Sequence, residues 1–354
     1  MPIGASGTKE HILELDSVRG LAAVAVLFCH LPRGLWFGET GVDLFFVLSG
    51  FLISGIILNG MDQPHFLRTF YIRRSLRILP IYYLSILIAF AINYFRRHPD
   101  PTDGLGYYLL YLQNVEAYWG VTPPNMTISL GPTWTLAIEE QFYLLWPASL
   151  YALKNTLTRS AILWLSLALL MLTIVLRAQG LSRLLLLAHA DGLALGAILA
   201  YVYRRLPDND FRNLRSVFLA TVVTAFSIYW LMWVVLSAKG NYTGRDHIHN
   251  SVAITLMTLG YFGVVGYVVA RSGEEGLKWL RHESLTTIGK ISYGLYLYHW
   301  IYYEFLDTFV VFRWELGHPY WLDAVKLSGS LVIALVSWRY IEKPILKLKD
   351  KFHY

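Results

Sequence analysis

Apolar residues in this sequence come in long unbroken runs separated by short polar stretches. Ten runs stand out, at about residues 12–31, 40–58, 78–95, 134–153, 160–177, 184–203, 215–237, 250–270, 285–310 and 321–341. A helix needs about twenty mainly apolar residues to cross the hydrocarbon core of a bilayer. A spanning segment must also satisfy its own backbone polar groups, which selects helix over open strand. The pattern therefore predicts an all-α, polytopic membrane helix bundle of about ten transmembrane helices. No polar connection is long enough to hold a second folded unit, so residues 1–354 read as a single integral membrane domain. The connection 96–133 contains GLGYYLLYLQNVEAYW, which is too short and too aromatic for a span. Tyr and Trp rings favour the headgroup level, and the stretch is read as interfacial or re-entrant.

Composition agrees with this reading. The chain is 55% hydrophobic and 15% charged, against about a quarter charged in soluble domains. A formal charge of +6 would suit a nucleic-acid partner if it were spread over one soluble face, but its distribution says otherwise. With alternating spans, one side receives Arg68, Arg73, Arg74, Arg77, Lys154, Arg159, Arg204, Arg205, Arg212, Arg215, Arg271, Lys278, Arg281, Arg339, Lys343, Lys347, Lys349 and Lys351. The other holds only Arg33, Arg96, Arg97, Arg177, Arg183, Lys239, Arg245 and Arg313. The positive-inside rule makes the richer side cytoplasmic and places both termini there. The start, MPIGASGTKEHILEL, lacks the basic region and cleavage site of a secretory leader, so the first run is expected to remain as a span. A single cysteine, Cys29, excludes an internal disulfide framework.

Charged groups at bilayer depth are costly and mark functional candidates. In the first run, LDSVRGLAAVAVLFCH, Arg19 and His30 are eleven positions apart. That spacing returns the same helix face within about 20° and separates them by about 16 Å. Ala23 and Val26 lie between them, suggesting a narrow groove of small side chains. Imidazole is suited to moving protons near neutral pH, so His30 reads as a general base; it reads equally as an interfacial cap, and Arg19 as a residue snorkelling to headgroups. Asp43 enters the second run at the level of His30 and could orient its ring. Arg73, Arg74 and Arg77, in FYIRRSLRILP before Pro80, offer guanidinium forks suited to phosphate oxygens, or form an ordinary positive-inside cluster.

Glu139 and Glu140 in the fourth run are either acid–base groups or a solvated helix start. If the first holds, His30, Asp43 and Glu139 cluster at one depth. His189, Asp191, Lys290 and His299 are scattered over other runs without metal-ligand spacing, and no metal is expected. Glu342 and Lys343 near the last span read as an interface anchor.

These segments together resemble the acyltransferase-3 family of integral membrane acyltransferases. The resemblance rests on LDSVRGLAAVAVLFCH, GVDLFFVLSGFLI, FYIRRSLRILP, PTWTLAIEEQFYLLWP, ADGLALGAILA, ISYGLYLYHW and WRYIEKPI, in order along nearly the whole chain. It implies a ten-helix enzyme in a bacterial inner membrane. Such an enzyme takes an acyl group, usually acetyl, from cytoplasmic acyl-coenzyme A to a hydroxyl of a sugar in an envelope or exported glycan or glycolipid. By the resemblance, His30 is the essential histidine and Arg19 its basic partner, Arg74 and Arg77 are the paired arginines, and Glu139 and Asp43 are the acids of their motifs. Arg73 and Arg19 are expected to help hold the donor.

The sequence departs from the family pattern in three places. His189 stands where arginine is expected, Thr135 where serine is commoner, and no hydrolase-like domain follows the last span. A stand-alone chain of this kind either acylates its acceptor directly or relies on a separate partner protein. The competing reading is a transporter or flippase for a lipid-linked glycan, with the buried ionisable residues forming a substrate or proton path.

Overall fold

The computed structural model describes residues 11–96, 104–118, 128–154, 160–238, 247–311 and 319–352. Among them there is no strand, and ten helices have fifteen residues or more. They are α1 (Leu13–Cys29), α2 (Gly41–Gly60), α3 (Phe66–Phe95), α4 (Trp134–Ala152), α5 (Ala161–Ala178), α6 (Asp191–Arg205), α7 (Arg215–Ala238), α8 (His247–Ala270), α9 (Glu283–Leu306) and α10 (Tyr320–Ser337). Six segments, containing α2, α3, α5, α7, α8 and α10, are long and apolar enough to cross a membrane. The chain is a multi-pass α-helical membrane protein. Arg97, Arg159, Lys239, Arg245 and Arg313, counted above for topology, lie outside the described residues, as does most of the start read for a leader.

The division between the six and the remaining four has a physical basis. α1, α4, α6 and α9 are shorter or carry Glu14, Asp16, Arg19, Glu139, Glu140, Asp191 and Glu304. Such helices cannot face lipid on all sides. α1 packs along α9, α2 along α6, and α7 along α8. By contrast α7 leaves Val217, Val223, Leu231 and Val234 exposed, a surface suited to lipid tails.

Glycine permits the two central seams. A Cβ built on Gly20 would lie 2.8 Å from the Gly289 nitrogen, and one on Gly289 would overlap the Asp16 carbonyl. Gly50 of α2 meets Leu193 of α6, and Gly196 of α6 meets Val47 in the same way. Without a hydrophobic drive between helices in lipid, such close backbone approach is a main source of association. Replacing Gly289 with Leu is expected to force α1 from α9 and to lower the thermal midpoint of the detergent-solubilised protein markedly. An unchanged midpoint would show that this seam is dispensable.

Two expectations about segments change, and the aromatic connection follows the second of its two readings. The third span, expected from about residue 78, starts about a dozen residues earlier and takes in the arginine-rich stretch: α3 begins at Phe66, after His65 at a left-handed φ of 60°, and runs through Pro80. Glu342 is not an interface anchor, being buried against Gly294 and accepting from Ser337 Oγ at 3.2 Å. The segment 104–118, in the aromatic connection, turns into the bundle. Ile128 pairs with Asn93 near the end of α3, whereas Tyr111 stacks on Tyr82 at 4.1 Å. Tyr82 lies eleven residues before Asn93, about 16 Å deeper along the helix. Gln113 and Gln141 anchor the segment there, donating to the Thr133 and Tyr111 carbonyls at 2.9 Å each.

α1 begins and α10 ends at the same end of the bundle. There Arg281 pairs with Glu14 at 2.9 Å, and Arg73 donates to the Phe352 carbonyl at 2.6 Å. We refer to it as the basic end.

Candidate active site

A cavity of about 390 Å³ opens from the basic end into the bundle. Its lining on α2 runs from Asn59 to Val42, a rise of about 25 Å. Near the mouth stand Arg19, Arg74, Arg77 and Arg204; deeper in are Ser49, Glu139 and Tyr143, and at its far end Thr135 and Tyr296. α1, α3, α4, α6 and α9 each contribute, so no single motif in the sequence contains this site.

The arginines are held in different ways. Arg19 lies 3.6 Å from Asp16. The Arg74 guanidinium sits 3.7 Å above the Tyr143 ring, and its buried Nε has no hydrogen-bond partner among the described residues. Leaving such a donor unsatisfied costs about 1–3 kcal/mol, a cost that an anionic ligand would remove. Arg73, expected to share this task, points away to the Phe352 carbonyl and does not line the cavity. Behind Arg74, the Tyr143 hydroxyl donates to Ser49 Oγ, which donates to Glu139, each at 2.7 Å. Glu139 is therefore fixed as an acceptor inside the cavity.

At the opposite end of α1 lies a histidine pair. His30 Nδ1 is 2.9 Å from His299 Nε2, with the rings stacked at 11° and Trp300 edge-on to His30. His299 Nδ1 is 2.6 Å from the Tyr296 carbonyl. A carbonyl can only accept, so His299 donates from Nδ1 and presents a lone pair at Nε2. His30 then donates from Nδ1, which leaves a lone pair on its own Nε2 that meets no donor among the described residues. These tautomers follow from the hydrogen-bond partners. Tyr296 ties the pair to the cavity: its hydroxyl meets Thr135 Oγ1 at 2.8 Å and donates to the Pro132 carbonyl at 2.9 Å.

The expected pairing of Asp43 with His30 is not formed. Asp43 Oδ1 instead faces His189 Nε2 at 2.8 Å, while His189 Nδ1 faces the Arg183 carbonyl at 3.1 Å. Both nitrogens of His189 thus lie within hydrogen-bond reach of an acceptor oxygen. His189, the departure from the family pattern, is thus the side chain that pairs with Asp43. Nor do His30, Asp43 and Glu139 share one depth. Glu139 bonds Ser49, six residues further along α2 than Asp43, about 9 Å closer to the basic end.

The groove of small residues on α1 is also absent. Ala23 is fully buried against Ile291, Leu295 and Ala334, and Val26 is likewise closed off. The open path follows α2, α4 and α9. Among the described residues no group of three or more His, Cys, Asp or Glu side chains is placed to hold a metal ion.

The family model for an acyltransferase domain, acyltransferase-3, matches residues 12–339. The chain belongs to this family. It is 28% identical over 96% of its length to the peptidoglycan O-acetyltransferase OatA of Listeria monocytogenes, covering 56% of that protein. It is 30% identical to the putative peptidoglycan O-acetyltransferase YrhL of Bacillus subtilis, over 96% of this chain and 56% of that one. A putative O-acetyltransferase of Staphylococcus aureus is 26% identical over 95% of this chain and 58% of its own. The chain thus spans just over half the length of these acyltransferase-3 relatives. No solved structure matches it.

Proposed function

We propose that this chain is the membrane O-acyltransferase unit of a bacterial inner membrane, moving an acetyl group from cytoplasmic acetyl-coenzyme A to a hydroxyl of a cell-wall glycan. The basic end is then cytoplasmic, a placement that its charge supports. The observation that carries the reading is the alignment of two sites along one path. An arginine-lined cavity starts at the basic end, and its far wall, Tyr296, holds the histidine pair at the other. Family membership supports the reaction class, and the relatives named above support peptidoglycan as the acceptor.

In this mechanism Arg74 and Arg77 bind donor phosphates at the cavity mouth, with Arg19 beside them. The donor arm lies along α2, between α4 and α9. The His30 Nε2 lone pair removes the acceptor hydroxyl's proton as its oxygen bonds to the acyl carbon, and the thioester C–S bond breaks to release the thiolate. His299 keeps His30 in the tautomer that exposes Nε2 and accepts from its Nδ1–H throughout, as a carboxylate does in other acyl-transfer sites. Glu139 orders Ser49 and Tyr143 under Arg74. The chain reads as a single acyltransferase domain, whether its acceptor is reached directly or through a partner protein.

The test is direct. Nanodisc-embedded protein supplied with radiolabelled acetyl-coenzyme A is expected to bind it and to release free coenzyme A when soluble peptidoglycan fragments are added, with acetyl ester appearing on the fragments by mass spectrometry. Absence of acetyl-coenzyme A binding would overturn the proposal.

A further inference from the structure

A second cavity, of about 580 Å³, lies at the end opposite the arginines. It falls within the range of about 300–1,000 Å³ typical of small-ligand sites. Val42 lines both cavities. On α4, neighbouring residues divide between them: Trp134 faces the second cavity and Thr135 the first. The turn that brings Glu39 and Thr40 to its rim packs on the last part of α1, with Gly38 against the Ala25 carbonyl. His30 follows directly on that helix.

The electrostatics of the two cavities differ in a way that selects their ligands. The first has four arginines against two carboxylates, Asp16 and Glu139, an excess suited to phosphate. In the second, every arginine and carboxylate of the lining has a hydrogen-bonded partner of its own. Asp43 pairs with His189 at 2.8 Å, Arg177 with Asp191 at 2.8 Å, and Arg183 with Glu39. A net-charged ligand would gain little there and would displace these pairs. A neutral one rich in hydroxyl groups would meet the polar side chains of Ser182, Asn250 and Thr40 around the Trp134 indole; the Thr40 hydroxyl, which already donates to the Phe37 carbonyl at 2.7 Å, could only accept. An indole offers a broad apolar face with a polar edge, which matches the C–H face of a pyranose ring. Trp134 is itself set in place by His189, stacked on it at 5.7 Å and 23°, and by Arg183, whose guanidinium lies 5.9 Å from the ring centre, so a sugar would contact the part of the indole these two leave uncovered.

We propose that this second cavity binds the acceptor glycan, taking neutral sugar residues between Trp134 and α8, with the Asp43–His189 pair fixing the orientation of Trp134. The assignment rests on the acyltransferase reading above and adds where the acceptor sits. It seats the acceptor across the shared Val42 lining from the donor arm, with its hydroxyl reaching to His30 Nε2, which lines neither cavity.

Binding of chitotetraose and of acetyl-coenzyme A is measured separately on nanodisc-embedded protein, for the unaltered chain, Ala253→Trp and Trp134→Ala. Ala253 lies on α8 in the lining, so the larger ring fills the cavity. Both variants are expected to weaken chitotetraose binding at least tenfold while keeping acetyl-coenzyme A affinity within about twofold, which also reports that they remain folded. Chitotetraose affinity unchanged in Ala253→Trp would overturn the assignment. So would an unaltered chain that binds acetyl-coenzyme A but neither chitotetraose nor a soluble peptidoglycan fragment, and the acyltransferase reading would survive that result. Loss of acetyl-coenzyme A binding in the unaltered chain would instead sink the underlying reading.

Discussion

A correctly inserted His30→Ala protein is expected to transfer acetyl groups about 10² to 10⁴ times more slowly, the usual contribution of a positioned general base. Its affinity for acetyl-coenzyme A should hardly change, because the arginine mouth of the cavity lies at the other end of α1. Single-turnover release of coenzyme A in the presence of peptidoglycan fragments measures the first quantity, and equilibrium binding the second. Near-normal turnover would remove His30 from the mechanism. The same assay separates positioning from packing at His299. His299→Leu deprives the His30 Nδ1–H of its acceptor and should lower the rate strongly without altering donor affinity. His299→Gln, which restores a side-chain acceptor, should recover part of that loss. Equal damage from both variants would mean that His299 matters only for its shape.

The second large effect is expected on the donor. Hydrogen bonds to charged groups contribute about 1.5–3 kcal/mol each, or roughly one to two powers of ten in affinity per arginine. An Arg74→Ala, Arg77→Ala protein should therefore bind acetyl-coenzyme A at least a hundredfold more weakly, and the weakening should shrink as salt screens the attraction. Arg73→Ala serves as the contrast, since Arg73 is committed to the Phe352 carbonyl, and it should bind the donor normally. Isothermal titration on nanodisc protein distinguishes the three, and unchanged affinity in the double variant would refute the donor site.

Much of the fold was legible because a bilayer imposes a simple rule on sequence: long apolar runs must become helices. The spans at α2, α7 and α8 follow from hydropathy alone. The site was legible only in part, for reasons that can be named. Residue spacing along one helix placed Arg19 and His30 on one face, yet Ala23 and Val26 between them suit a packed seam as well as a groove. Only the position of α9 decides that Ile291 and Leu295 fill the space.

Equal depth suggested Asp43 as the partner of His30, but depth carries no information about direction around the bundle axis. Asp43 turns to α6 and the short helix before it, where His189 waits. The actual partner, His299, is 269 residues away in sequence. Its motif, ISYGLYLYHW, was visible, but nothing in the spacing of a single chain could join it to α1. The glycines could have hinted at the union, since Gly20 and Gly289 mark two helices whose backbones come into close contact.

The wall at Val42 has one more consequence. A continuous channel wide enough for both substrates would also pass water and ions, discharging the gradient of the membrane in which it sat. In the proposed arrangement the two cavities share only Val42 in their linings, which would keep the bilayer insulated while the donor thioester and the acceptor hydroxyl meet at His30. Only the acetyl group would then change sides, and the coenzyme's phosphates and the sugar would each remain on the side from which they came.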